Sequence, residues 1–96
     1  MTGYCLKIES VDSDGTARTE KMIDLRDFIV NNRVPLSDVS VIFAKEIQEL
    51  LCKRSRQGFF ATQIQVQEKY ASLTIAKPSG YRIEYRLWFL RTSFSN

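Results

Sequence analysis

The last third of the chain has the most regular pattern of apolar and polar positions. The two kinds of residue alternate in three successive runs, at 60–67, 72–76 and 81–89. Alternation with a period of two is the pattern of a strand that buries one face, so three strands are predicted. The tetrapeptide KPSG at 77–80 favours a turn, and consecutive strands are expected to pair as an antiparallel meander. The buried side of the first strand is expected to hold Phe60, Thr62, Ile64 and Val66.

The first residues of the chain also alternate, and they predict a β-hairpin. In the segment 4–10, every second position is apolar, which favours a half-buried strand. The segment 11–15 contains the Asp and Gly residues that favour tight turns. Residues 16–22 are therefore the expected second strand. Because this segment has few apolar positions, the alternative is that it forms a loop that leads into a helix.

Apolar residues at helical spacing predict two helices in the middle of the chain. A short helix of about two turns is expected at 25–32. Pro35 interrupts the pattern, because proline disfavours helix in the residue before it. The main helix is expected to begin after Ser37, a candidate N-cap, to run to about Ser55, and to end at Gly58 as the C-cap. Its apolar side is expected to hold Val39, Ile42, Phe43, Ile47 and Leu50.

The order of these elements, β-β-α-α-β-β-β, predicts the fold class. Strands at both ends with helices between them are typical of an α+β fold. We expect one domain over residues 1–96, because 96 residues do not suffice for a second full-sized core. In this domain the hairpin and the meander form one twisted antiparallel sheet. The main helix and the short helix pack on one face of it.

The chain contains no histidine, and this absence excludes more functions than any other property. Histidine is the usual general base, the commonest zinc ligand and the group that activates catalytic serine or cysteine. The sequence also has no glycine-rich phosphate loop and no serine nucleophile motif. We therefore expect a protein that is not an enzyme, binds no metal and needs no cofactor.

Two residues keep an enzymatic alternative open. Glu46 falls on the apolar side of the main helix, where a carboxylate can have a functional role. The simpler expectation is that its stem is buried and its carboxylate pairs with an arginine. Cys52 lies on the polar side beside Lys53 and Arg54, whose charges favour a reactive thiolate. No motif places a second carboxylate with Glu46, so acid–base chemistry has no support.

The amino terminus and the cysteines indicate the compartment. Residues 1–9 carry both signs of charge and lack the apolar run of a signal peptide. No apolar stretch approaches the ~20 residues that cross a bilayer. Cys5 and Cys52 have no metal-ligand spacing, and a disulfide between them is expected only in an exported protein. We therefore expect a cytoplasmic protein with two free thiols that does not span a membrane.

Positive charge is concentrated in the second half of the chain. Residues 1–48 hold six basic and eight acidic residues, whereas residues 49–96 hold eight basic and three acidic, and the formal net charge is +3. Arginine and tryptophan are enriched at binding hot spots, so the cations of this half and its one tryptophan are the candidates for partner binding. These residues are Lys53, Arg54 and Arg56 at the end of the main helix, and Arg82, Arg86 and Trp88 in the last strand.

Each group of candidates also has a structural explanation. Cations at the carboxyl end of a helix complement the helix dipole. In the last strand, Arg82, Glu84 and Arg86 are able to neutralise one another. Trp88 is then expected to be covered by the amino-terminal hairpin, because Leu90 on the same side implies some cover.

These observations favour a non-enzymatic protein that docks on another protein and regulates or inhibits it, of the immunity, antitoxin or inhibitor type. Such a protein needs a rigid scaffold with one decorated face and no chemistry of its own. The alternative is a small nucleic-acid-binding module that uses the basic second half with Trp88 and Tyr70.

The charge distribution adds a condition to the first hypothesis. Inhibitors of nucleases tend to be acidic, because their targets bind an acidic polymer. Either the target presents an acidic patch, or docking uses the acidic first half. The residues of that half are Asp12, Asp14, Glu20, Asp24 and Asp27. The oligomeric state stays open, and the long last strand is able to pair with another copy only if it lies at the sheet edge.

Overall fold

The computed structural model describes residues 2–24, 39–67 and 69–93. They form five strands and one helix, which confirms a single-domain α+β fold. The elements are β1 (Thr2–Asp12), β2 (Ala17–Asp24), α1 (Val39–Ser55), β3 (Phe60–Val66), β4 (Tyr70–Ala76) and β5 (Arg82–Ser93). The short helix predicted at 25–32 and the N-cap predicted at Ser37 lie outside the described residues. Within the described part, no helix has the length and apolar character needed to cross a membrane.

The five strands form one sheet in the order β2-β1-β5-β4-β3. Every neighbouring pair is antiparallel. The last strand, β5, is the longest, with 12 residues, and it lies at the centre of the sheet between β1 and β4. From Arg82 to Trp88 it is therefore paired with β4, and beyond Trp88 the structure pairs it with β1 alone. The two edges of the sheet are β2 and β3.

One face of the sheet, here called the helix face, packs against α1. The opposite side is called the outer face. Opposed residues on antiparallel strands share a face, so the register of the strands assigns each side chain. Phe43 and Ile47 of α1 pack against the helix face, and Phe43 is fully inaccessible to solvent. The strand residues of this core are Leu6, Ile8, Ala71, Leu73, Ile75, Ile83, Tyr85, Leu87 and Phe89.

The edge strand β3 departs from strict alternation. Its register with β4 shifts at Thr62, an additional residue that forms a β-bulge. Phe60 consequently lies opposite Ala76 on the outer face, so the prediction that Phe60 is on the buried side is wrong, since a bulge reverses the sense of alternation. Ile64 and Val66 do lie on the helix face, but they are 52% and 45% exposed. Although α1 contacts β3, these two side chains on the edge strand are therefore covered only in part.

The turn between β1 and β2 is attached to the start of β5. The Ser13 hydroxyl donates a hydrogen bond to the Arg82 carbonyl at 2.9 Å and accepts one from the Arg82 amide at 2.8 Å. Within the turn, the Thr16 amide donates to the Asp14 carboxylate at 2.9 Å. This hydrogen bond holds the pKa of Asp14 below its usual value. The turn therefore uses its own polar groups to fix the hairpin against the sheet.

A Schellman motif ends α1 and confirms Gly58 as the C-cap. Gly58 has a φ of +88°, and its amide donates to the Ser55 carbonyl at 3.1 Å. The amide of Phe59 donates to the Arg54 carbonyl at 3.2 Å. These two bonds satisfy carbonyl groups that a helix end leaves without partners. They also direct the chain from α1 into β3.

Replacing Gly58 with alanine is expected to lower the free energy of unfolding by about 1–2 kcal/mol, the cost of a left-handed backbone for a residue with a Cβ. A Cβ at this position would meet nothing within 4 Å, so crowding makes no contribution. Gly58→Asn is the control, because asparagine tolerates this conformation better. Thermal unfolding should rank the three proteins as glycine, asparagine and alanine. An alanine variant as stable as the original chain would contradict this origin of the effect.

Candidate functional site

The outer face has an aromatic pair, Tyr70 and Trp88, near its centre. The two residues lie opposite each other on β4 and β5. Their ring centroids are 4.5 Å apart at an interplanar angle of 52°. Both side chains are half-buried, and Trp88 Nε1 donates a hydrogen bond to Glu9 Oε1 of β1 at 2.9 Å. Three adjacent strands therefore hold the indole ring in place.

The amino-terminal hairpin does not cover Trp88 in the way the sequence predicts. β1 lies beside β5 within the sheet, and Trp88 pairs there with Lys7. The hairpin therefore borders the indole on one side instead of lying over it. Leu90, two residues further along the same face, is 37% exposed. The prediction is wrong because it treats the hairpin as a separate layer, whereas β1 is the direct neighbour of β5.

Charged residues around the aromatic pair form ion pairs with one another. Arg86 Nε donates to Glu84 Oε1 at 2.7 Å, and Lys7 Nζ lies 3.9 Å from Glu9 Oε2. The hydrogen bond to Glu84 raises the pKa of Arg86 above its ordinary value. The expected neutralisation of Arg86 by Glu84 is thus confirmed. Exposed pairs of this kind contribute only about 0–1 kcal/mol each to stability, but they cancel the local charge.

Between Tyr70 at one end and Phe60 with Ala76 at the other, the part of the outer face on β3 and β4 is polar and uncharged. The Ser72 hydroxyl lies 3.5 Å from Gln65 Oε1, to which it donates. The Thr62 hydroxyl donates to the Thr74 carbonyl at 3.2 Å. As the sequence predicts, the register places four polar side chains on this side: Gln63, Gln65, Ser72 and Thr74. Amide and hydroxyl groups both donate and accept, so this area is able to match the polar groups of a partner.

The structure divides the six predicted partner-binding residues between the two faces. The register places Arg82, Arg86 and Trp88 on the outer face. The other three, Lys53, Arg54 and Arg56, lie at the end of α1, which packs against the helix face. The sequence pattern has no information on this separation, because it depends on the face that the helix covers. A single flat ligand therefore cannot contact both groups.

Arg54 is part of the packing at the end of α1. Its Nε donates to the Tyr85 hydroxyl and one of its terminal nitrogens to Gln57 Oε1, both at 2.7 Å. The guanidinium carbon lies 5.7 Å from the Phe59 ring centroid and 5.9 Å from that of Tyr85. Arg54 thus satisfies the hydroxyl of a tyrosine that is only 1% exposed. Its neighbours Lys53 and Arg56 are exposed.

The buried position of Tyr85 changes the pKa of its phenol group. Burial raises the pKa of Tyr85 above its ordinary value of 10.0, although the hydrogen bond from Arg54 partly opposes this effect. The folded protein therefore favours the neutral phenol. This preference stabilises the fold fully below pH 10, and the contribution is lost as pH rises through the raised pKa.

We expect one of the four tyrosines to ionise late in an alkaline titration followed by tyrosinate absorbance. Tyr85→Phe should remove this late step and make stability fall less steeply above pH 10. Tyr81→Phe, which alters a ring that is 43% exposed, is the matched control. Loss of the late step in the Tyr81 variant instead would contradict the assignment.

A cleft of about 390 Å³ lies between the hairpin and the end of α1. It contains both signs of charge, and Arg18 lies 3.3 Å from Asp12. The Ser10 hydroxyl donates to Glu20 at 2.6 Å, and Lys77 Nζ lies 4.9 Å from the Phe59 ring centroid. Sequence reasoning missed this cleft, since its walls come from distant segments. Its charged groups are largely occupied with one another or with an aromatic ring.

Glu46 and Cys52, the residues behind the enzymatic alternative, both lie on α1. Glu46 is 9% exposed and its Oε2 lies 3.5 Å from Lys21 Nζ, so its partner is a lysine rather than the expected arginine. Cys5 is buried and Cys52 exposed, and both are free thiols. Within residues 2–24, 39–67 and 69–93, no group of three acidic or cysteine side chains is arranged to hold a metal ion.

Similarity to known proteins offers no further guide to this surface. Comparisons with protein family models, with curated proteins and with solved structures give no match. A functional conclusion therefore depends on the chemistry of the outer face and of the end of α1.

Proposed function

We propose that this chain is a non-enzymatic binding protein that docks on another protein through its outer face and so regulates or inhibits it. The aromatic pair carries the proposal. The pair consists of the half-buried Trp88 and of Tyr70, with ring centroids 4.5 Å apart, and Arg86 lies beside it on β5. Tryptophan, tyrosine and arginine are the residue types most enriched at binding hot spots. The surrounding amide and hydroxyl side chains supply the polar rim of such an interface.

The charge pattern of the outer face favours a protein partner over a nucleic acid. Nucleic-acid binding depends on cations that neutralise phosphates. Here Arg86 is engaged by Glu84 and Lys7 lies beside Glu9, which leaves the exposed Arg82 as the main cation of this face for contacts with phosphates. The exposed cations Lys53 and Arg56 are on the opposite side of the sheet from the aromatic pair. A nucleic acid stacked on Trp88 would therefore gain little from them.

The hairpin acids make a poorer docking surface than the outer face. Asp12 pairs with Arg18, Glu20 accepts a hydrogen bond from Ser10, and Asp14 accepts one from the backbone. A partner that used these acids would first have to displace their internal partners, which lowers the gain from binding. We therefore place the contact on the outer face, where the aromatic pair and the uncharged polar side chains beside it supply the contacts. Inhibition, of the immunity or antitoxin type, would follow if the partner's own functional surface is the one covered.

Co-purification from the native host with matched variants tests the proposal. We expect a protein partner that is retained after nuclease treatment and in high salt. It should be lost with Trp88→Ala and kept with the double variant Lys53→Ala, Arg56→Ala, which alters only exposed residues of α1. Recovery of nucleic acid that is released by high salt, and that is lost with Trp88→Ala or with the helix variant, would replace the proposal with the nucleic-acid-binding alternative.

A further inference from the structure

The two edge strands of the sheet differ in the features that prevent edge-to-edge pairing. Both strands are largely exposed along their length. β2 carries charges of both signs, with Arg18, Glu20, Lys21 and Asp24 among its eight residues. β3, with the sequence FATQIQV, has no charged residue and no proline. Charged side chains and prolines are the usual means by which natural sheets keep an edge from pairing with another chain.

The bulge protects only the first part of β3. It lies at Thr62, and the pairing with β4 is regular from Gln63 to Val66. Gln67 extends this segment, because its amide still donates to the Tyr70 carbonyl at 2.7 Å. Within the described part of the chain, β3 has a strand neighbour on one side only. The segment 63–67 is therefore a straight, uncharged edge with apolar side chains on one face.

We propose that segment 63–67 of β3 pairs antiparallel with the same segment of a second copy of this chain, so that two sheets join into one. A twofold axis at Gln65 would place Gln65 opposite itself. Ile64 would then lie opposite Val66, and Gln63 opposite Gln67, each of these pairs occurring twice. Such an isologous contact is the commonest way in which soluble chains form dimers.

The side chains of this segment complement themselves, which favours a second copy over a different partner. Ile64 and Val66 are 52% and 45% exposed, and each would cover the other across the joint. Opposed apolar residues on paired strands stabilise a sheet. The amide of Gln65 is both donor and acceptor, so it is able to bind its own copy. No like charges would face each other within the segment, since it has none.

A joined sheet would also affect the docking proposed above, although it does not depend on that proposal. Strands that pair within a sheet keep their faces, so the twofold axis runs perpendicular to the sheet. Both outer faces, each with its aromatic pair, would then point to the same side. A partner with two matching sites would bind such a dimer more tightly through multivalency.

Measuring the molecular mass in solution tests the dimer. The intact chain should approach twice its 11.1 kDa mass as concentration rises in sedimentation equilibrium. Ile64→Lys should keep the mass near 11.1 kDa, because it places a charge on the joint. Met22→Lys, on the other edge strand at a residue that is 57% exposed, is the control and should still dimerise. A monomer at every concentration, or a dimer that only the Met22 variant disrupts, would overturn the proposal.

Cross-linking tests the register of the joint. Gln65→Cys is made together with Cys52→Ser, which removes the exposed thiol. Mild oxidation should then link two chains, because the twofold axis brings position 65 next to its own copy. Thr19→Cys in the same background is the matched exposed position on β2 and should stay unlinked. Linkage through position 19 but not through position 65 would show that the copies meet elsewhere and would refute the register.

Discussion

The Phe43→Ala variant is expected to lose about 3–5 kcal/mol of unfolding free energy, the usual cost of truncating a buried phenylalanine. Phe43 is 0% exposed and joins α1 to the strands of the helix face. The loss combines the hydrophobic transfer of the ring with the cavity left behind, because surrounding side chains relax only in part. A small domain has a total stability of about 5–15 kcal/mol, so this one change should consume much of it.

Val41→Ala is the control for this prediction, since Val41 belongs to the same helix and is 66% exposed. Changes at exposed positions usually alter stability by less than about 0.5 kcal/mol. Urea unfolding of the three proteins gives the comparison. Similar losses in the two variants would mean that α1 is not anchored through Phe43. That result would contradict the described packing of the helix on the sheet.

Trp88→Ala is expected to weaken binding to the proposed partner by about 2–4 kcal/mol, as for a hot-spot residue. This corresponds to a roughly 30- to 700-fold increase in Kd. The variant removes both the ring that packs against Tyr70 and the hydrogen bond to Glu9. Trp88→Phe keeps an aromatic ring but no donor, so it should lie between the two. Calorimetric titration of the purified partner measures all three affinities.

The controls separate lost binding from lost folding. Trp88 is half-buried, so each variant is first checked for an unchanged circular dichroism spectrum and a cooperative thermal transition. Arg82→Ala removes an exposed cation from the same face and should change Kd by less than about tenfold, as most interface residues do. A folded Trp88→Ala protein with unchanged affinity would exclude the aromatic pair as the centre of the interface.

The fold explains why the outer face is suited to recognition. β5 is paired on both sides, so the backbone below Trp88 and Arg86 is held by two ladders of hydrogen bonds. Side chains on such a strand lose little further freedom when a partner binds. The helix face supplies the stability, because almost all fully buried residues lie there or on α1. The helix face thus holds most of the buried core, and the proposed recognition uses the opposite face of the same sheet.

Local patterns were sufficient to predict several elements. The alternation in 72–76 and 81–89 lies within or overlaps β4 and β5, and the helical spacing before Ser55 corresponds to α1. Gly58 was identified as the C-cap because only its own neighbours determine that conformation. The bulge at Thr62 was missed, since it depends on the pairing of β3 with β4 rather than on either sequence alone.

The candidate site was predicted only in part. The alternating pattern of β5 already places Arg86 and Trp88 on one side, and Tyr70 was included in the nucleic-acid-binding alternative. Lys7 and Glu9 were not identified, although they contact or border the aromatic pair. Glu9 is 79 residues away from Trp88 along the chain. A local sequence pattern relates only near neighbours, so it gives no sign of this hydrogen bond.

The order of residues by itself therefore accounts for α1, for β4 and β5 and for the polarity of each side of these two strands. These properties arise from neighbours two to four positions apart, where backbone geometry relates sequence to direction. The spatial order β2-β1-β5-β4-β3, the covering of one face by α1 and the position of β3 at an edge of the described sheet come from the tertiary structure alone. These features depend on contacts between residues that are far apart in the sequence, because the folded chain buries a large apolar area. The resulting arrangement decides which residues share a surface.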